Sequence, residues 1–220
     1  MGLTAQMACT WLRACHPVPK IPSVRASGRA IYRVATPLAA PVRIWSDGPA
    51  PNAETYPTWE IIHYEFPKTA FTAGETVQMT WYDGGKKPDR QLAQLPEGRD
   101  LPDNGILLVG EKGVLLCPHG GSPSLYPERE FKEYAIAEVP SSDHYLQWTN
   151  ACKGTDKASS HFDYSGPLTE TVLLGTVAIR FPGQKLQWNS QELKFREGAA
   201  NQFVHHAYRS GWEVKELWPL

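Results

Sequence analysis

From Trp59 onward, apolar and polar residues alternate in short runs broken by glycine and proline, and the runs predict strands first and helices afterwards. Glu60 to Phe66 is β-branched and aromatic, which reads as a strand. Pro67 to Gly74 turns the chain. Glu75 to Tyr82 reads as the partner strand, with Val77, Met79 and Trp81 sharing one face because side chains alternate along a strand. Asp83-Gly84-Gly85 ends it, and Lys86 to Asn104 is polar and loop-like. Gly105 to Val109 and Val114 to Cys117 form a hairpin around Glu111-Lys112-Gly113, closed by Pro118-His119-Gly120-Gly121.

The period then changes. Tyr145, Trp148, Thr149 and Cys152 recur at helical spacing, with Ser142 or Asp143 as cap and Gly154 just past the end. A second helix is predicted from Pro167, a favoured first helical position, through a largely apolar Leu168 to Ile179 that implies burial. Lys185 to Trp188 reads as a strand and Ala199 to Ala207 as a short helix, while Trp212 to Trp218 supports no assignment. Strands followed by helices indicate an α+β fold, an open, mostly antiparallel sheet with helices on one face.

The first 46 residues read differently. They hold Lys20 and five arginines but no acidic residue, and prolines recur at 17, 19, 22, 37 and 41. The expected organisation is a basic, poorly ordered leader over 1–50 and an α+β domain over 51–220. No apolar run long enough for a bilayer and no secretory pattern is present, so no membrane is expected. A net charge of −1 argues against nucleic acid as partner. Four cysteines without a C-x-x-C pair read as reduced thiols, which fits a cytoplasmic protein. Eight Trp and nine Tyr suit either a sheet core or a flat ring-shaped ligand.

An ordered series of segments adds a resemblance: Thr80 to Gly85, Gly105 to Gly113, His144 to Trp148, Phe162 to Glu170, Asn201 to Val204 and Tyr208 to Trp212. Over roughly Glu54 to Val214 the chain resembles the C-terminal substrate and oligomerisation domain of the Gfo/Idh/MocA oxidoreductases, in the form common in planctomycete-like bacteria. The resemblance implies a sheet that lines a sugar site and can join subunits into a homo-oligomer. Members of that family transfer hydride between NAD(P) and a pyranose or polyol. The sequence contains no G-x-G-x-x-G after a strand, so no NAD(P) is expected here. The family's catalytic Lys segment has no counterpart. Where a helix of Met-Ala-Cys-His type would stand, the chain reads Met7-Ala8-Cys9-Thr10-Trp11, and Thr10 cannot replace an imidazole.

A pocket for an oxygenated ring without a hydride carrier points to lactones. The first expectation is a cofactor-free hydrolase of small lactones or esters, including acylated homoserine-type signalling lactones (quorum quenching). A non-catalytic sugar-binding or oligomerisation domain is the alternative, and a dehydrogenase with its NAD site on another chain is a third. His119 stands in a glycine turn as a candidate base, or as a solvent-exposed turn residue. His161 and Asp163 precede the buried helix as a candidate base pair, or as a helix cap. Trp81, Tyr82, Asp83 and Tyr164 are the candidate substrate contacts, Asp83 equally a turn former before glycine. Asp100, Asp103 and Asn104 form an oxygen-rich loop suited to calcium more than zinc, or simply to water. There is no H-E-x-x-H and no G-x-S-x-G.

Overall fold

The computed structural model describes residues 11–15, 40–52, 54–68, 74–119, 121–136, 143–159, 161–205 and 208–212. Met7 to Thr10, Gly120, Ser142, His206 and the chain beyond Trp212 lie outside the described residues, as does the expected leader apart from 11–15 and 40–50. The fold is α+β. One nine-stranded sheet is built from β1 (Trp11–Cys15), β2 (Arg43–Asp47), β3 (Ile61–Pro67), β4 (Thr76–Tyr82), β5 (Gly105–Val109), β6 (Val114–Pro118), β7 (Ser124–Tyr126), β8 (Leu186–Asn189) and β9 (Lys194–Phe195). Its order is β7-β6-β5-β1-β4-β3-β2-β8-β9. Every pairing is antiparallel except that of β1 with β5.

The strands predicted from alternation are present within a residue or two. What alternation alone did not place are β1, β2, β7 and β9. β1 stands between β4 and β5, and β2 between β3 and β8, although both fall within the stretch assigned to the leader. The folded unit therefore starts before residue 50. Arg43 and Asp47 are exposed while Ile44 and Ser46 are buried, a two-residue alternation that proline-rich surroundings obscure.

The helices are α1 (His144–Cys152) and α2 (Phe162–Ala178). Asp143 caps α1, its Oδ1 accepting from the Leu146 amide at 2.8 Å, and Gly154 follows the helix at φ +76°. The helical stripe does not mark a buried face, however: Tyr145 is 82% and Trp148 66% exposed. α2 begins five residues before the expected Pro167, which lies inside it. The Tyr164 and Ser165 amides both donate to the His161 carbonyl, so a turn closes upstream of the proline. At the sixth helical position Pro167 leaves the Asp163 carbonyl without its helical donor, one turn from the helix start.

α2 covers one face of the sheet. Ser46 Oγ donates to the Ala178 carbonyl at 2.9 Å, and Trp188 Nε1 donates to Glu170 Oε1 at 2.6 Å. A side chain on Gly175 would collide with the Tyr64 hydroxyl, so only glycine lets helix and strand approach so closely. Ile44, Ile62, Tyr64, Phe66, Val77, Met79, Leu108 and Leu115 fill the space beneath, with Leu174 and Val177 from α2. On the opposite face, Leu107, Val114, Leu116 and Tyr126 are covered by Ala93, Leu95 and Leu101. These last three come from the segment 86–104, with a 3-10 turn at Arg90–Ala93, so the polar loop is a roof pinned by three apolar residues. No helix of the described residues is long and apolar enough to cross a membrane.

Candidate functional site

Strand registers fix which candidates can meet. Asp47 lies across from Ile61, Ile61 from Tyr82, and Gly105 from Pro118. Asp47, Asp83 and His119 therefore share one end of the sheet. Asp83 and His119 follow β4 and β6, three strand spacings or about 14 Å apart. His161 and Asp163 stand at the other end. Going back along α2 from Ala178, beside Ser46, to Glu170, beside Trp188, leads toward Val42, whose carbonyl accepts from the Trp188 amide. The eight residues from Glu170 back to Phe162 carry the helix start about 12 Å farther that way. The expected catalytic set of His119, His161 and Asp163 is thus not assembled, because its members flank opposite edges of the strands.

Each of those residues is in an open setting. The His119 side chain is exposed, its amide donates to the Asn104 carbonyl, and the Gly121 amide is spent on the Pro118 carbonyl rather than aimed at an anion. His161 Nδ1 lies 3.7 Å from Asp163 Oδ2, with side chains 57% and 94% exposed. Tyr164 sits at the same end on the first turn of α2. Trp81 packs toward the α2 core and Tyr82 toward the roof cluster, so strand parity puts the two on opposite faces.

The proposed cation loop is occupied by the protein's own cations. Lys87 Nζ reaches Asp103 Oδ1 at 3.0 Å, Arg90 Nε lies 3.4 Å from Asp100 Oδ1, and the Asn104 carbonyl is taken by His119. Among the described residues, no three or more His, Cys, Asp or Glu side chains gather as a metal-ligand group. Nearby, a recess of about 150 Å³ opens between Arg99, Leu116, Pro118 and Tyr126. That is roughly half the smallest volume common for ligand pockets.

Asp83 is both a turn former and one of a carboxyl pair. Its Oδ1 accepts from the Gly84 amide at 2.6 Å, and its own amide donates to the Glu60 carbonyl at 2.9 Å. Glu60 Oε2 is buried with no hydrogen-bond partner among the described residues. Burial first, and the Asp83 charge second, push the Glu60 carboxyl up to about 7. Burial, then the Glu60 charge, raises the Tyr64 hydroxyl.

Among the described residues, a dense polar constellation lies on the half of the sheet formed by β2, β3 and β4, beside the roofed half. Trp45, His63 and Thr80 stand in one cross-strand row. The Trp45 and His63 rings stack with centroids 5.0 Å apart and planes at 14°. His63 Nε2 lies 2.9 Å from Asp47 Oδ2, and Nδ1 lies 3.3 Å from Thr80 Oγ1. Arg43 holds Glu65 at 2.7 Å in the adjoining row, and Lys185 Nζ sits 4.9 Å from the Trp45 ring centre. Sequence reasoning passed over this group. One signal was present: His63 and Glu65 have the parity opposite to Ile62, Tyr64 and Phe66, so they had to leave the core face. Asp47 and Trp45 were hidden in the presumed leader.

No protein-family model and no curated protein matches the chain, so the Gfo/Idh/MocA resemblance rests on its ordered motifs alone.

Proposed function

We propose that the chain is a ligand-binding domain whose open half-face, around Trp45 and His63, receives a small oxygen-rich ring, a sugar or its lactone, without a bound dinucleotide. One observation carries this reading. The open half interleaves donors and acceptors (Arg43, Asp47, His63, Glu65, Thr80) around a single indole, while the same face two strands away is apolar and roofed. Ring hydroxyls need closely spaced donors and acceptors, and the ring's C–H face favours an aromatic neighbour.

The chemistry favours this over a subunit contact through the same half-face, since cores of protein interfaces are depleted in charged residues. Free thiols at Cys117 and Cys152 suit a reducing, cytoplasmic setting. The test is a tryptophan-fluorescence and NMR titration of the full chain with pyranoses, inositols and aldonolactones. Saturable binding that Trp45→Ala abolishes is expected. Binding that survives Trp45→Ala, or none with any ring, rejects the reading. Saturable binding of NADH would favour the dehydrogenase reading. A dimer by light scattering that Trp45→Lys dissociates would favour assembly.

A further inference from the structure

We propose that Asp47, His63 and Thr80 form an acyl-transfer relay in which Thr80 is the nucleophile toward a small ester or lactone. The inference deepens the binding reading by assigning a reaction to the same half-face. Its geometry stands on the hydrogen bonds. A carboxylate only accepts, so the imidazole nitrogen 2.9 Å from Asp47 Oδ2 carries the proton. That places N–H at Nε2 and leaves the lone pair at Nδ1, 3.3 Å from Thr80 Oγ1, to accept the hydroxyl proton. The polarity runs from carboxylate through imidazole to hydroxyl, the order that activates a hydroxyl nucleophile. The 3.3 Å separation is the looser spacing common in sites without substrate.

Two features hold the relay in place. The Trp45 ring stacked on His63 limits rotation of the imidazole. Thr80 is 8% exposed in the middle of β4, so its side chain is set by the sheet rather than by a loop.

The step balances without a cofactor. Thr80 Oγ1 forms a bond to the ester carbonyl carbon while its proton passes to His63 Nδ1. The bond from carbonyl carbon to alkoxy oxygen then breaks, and the alkoxide takes the proton from Nδ1. With a lactone, the released hydroxyl stays on the acyl chain. Water next attacks the acyl carbon with its proton going to Nδ1, the bond to Thr80 Oγ1 breaks, and that proton returns to Oγ1.

The experiment uses the full chain with p-nitrophenyl acetate, which needs no ring recognition. Release of p-nitrophenol is followed by absorbance, and the quenched protein by intact mass and peptide mapping. One acetyl group on Thr80 is expected, retained in Thr80→Ser and absent in Thr80→Val. His63→Ala should slow acylation by about a hundredfold or more, and Asp47→Asn by a comparable factor. His119→Ala and His161→Ala should leave the rate unchanged. Acylation elsewhere, or a rate in Thr80→Val equal to the parent's, overturns the relay. Thermal melts of each variant separate loss of chemistry from loss of fold. Ring binding with no acylation rejects the relay alone, and acylation with no ring binding rejects the binding reading alone.

Discussion

Two halves of one sheet face differ more than the two faces do. On β5 and β6 the face turned away from α2 carries Leu107, Val114 and Leu116, sealed by Ala93, Leu95 and Leu101 from the roof. On β2, β3 and β4 the same face carries Arg43, Asp47, His63, Glu65 and Thr80 around one indole. The backbone ladders are the same kind of antiparallel pairing. Apolar burial stabilises the roofed half, whereas a half-face of an antiparallel sheet rich in polar groups can face water without loss of stability.

The largest effect should fall on the roofed half. Leu107 is fully buried, and Leu107→Ala should cost about 3 kcal/mol in urea unfolding, whereas Trp45→Ala on the open half should cost under about half of that. Comparable losses would erase the distinction between the halves. Next comes Arg43→Met, which leaves Glu65, 10% exposed at its side chain, without its 2.7 Å partner. A loss of roughly 1 to 2 kcal/mol is expected, read from the denaturation midpoint.

Glu60→Gln should act through pH, with a definite sign. The folded carboxyl is raised from 4.5 to about 7, so the folded state holds the proton more tightly and stability falls as pH rises from about 4.5 through 7. The variant should flatten that fall and be more stable than the parent above pH 7. Glu60 is only partly buried, so the gain is on the order of 1 kcal/mol. A parent whose stability is flat from pH 5 to 8 would remove Glu60 as a strained group. The smallest effect belongs to Lys68→Ala at the exposed Lys68–Glu75 pair, 2.8 Å apart, where a change below about 0.5 kcal/mol is expected in thermal melts.

Much of the architecture was readable in the residues themselves. Alternation located β3, β4 and β8 because one side of each strand is more buried than the other, while β5 and β6, buried on both faces, showed as short apolar runs bounded by glycine turns. Capping chemistry located α1 through Asp143 and Gly154. Where reading failed, the cause was context. β2 is short and set among prolines, and the helical stripe of α1 meets no partner that buries it. The roof looked like a solvated loop because its three apolar anchors are spaced irregularly.

The candidate site shows the boundary more sharply. Residue types alone nominated His119, His161 and Asp163, since imidazoles beside glycine turns and helix starts carry the right chemistry. Strand parity within the sequence already excluded His63 and Glu65 from the core face. Which imidazole meets which carboxylate depended on pairing across the sheet: Asp47 reaches His63 over a separation of sixteen residues, and Thr80 over seventeen. Local periodicity determines which way a side chain faces; only the order and register of strands determine what it faces.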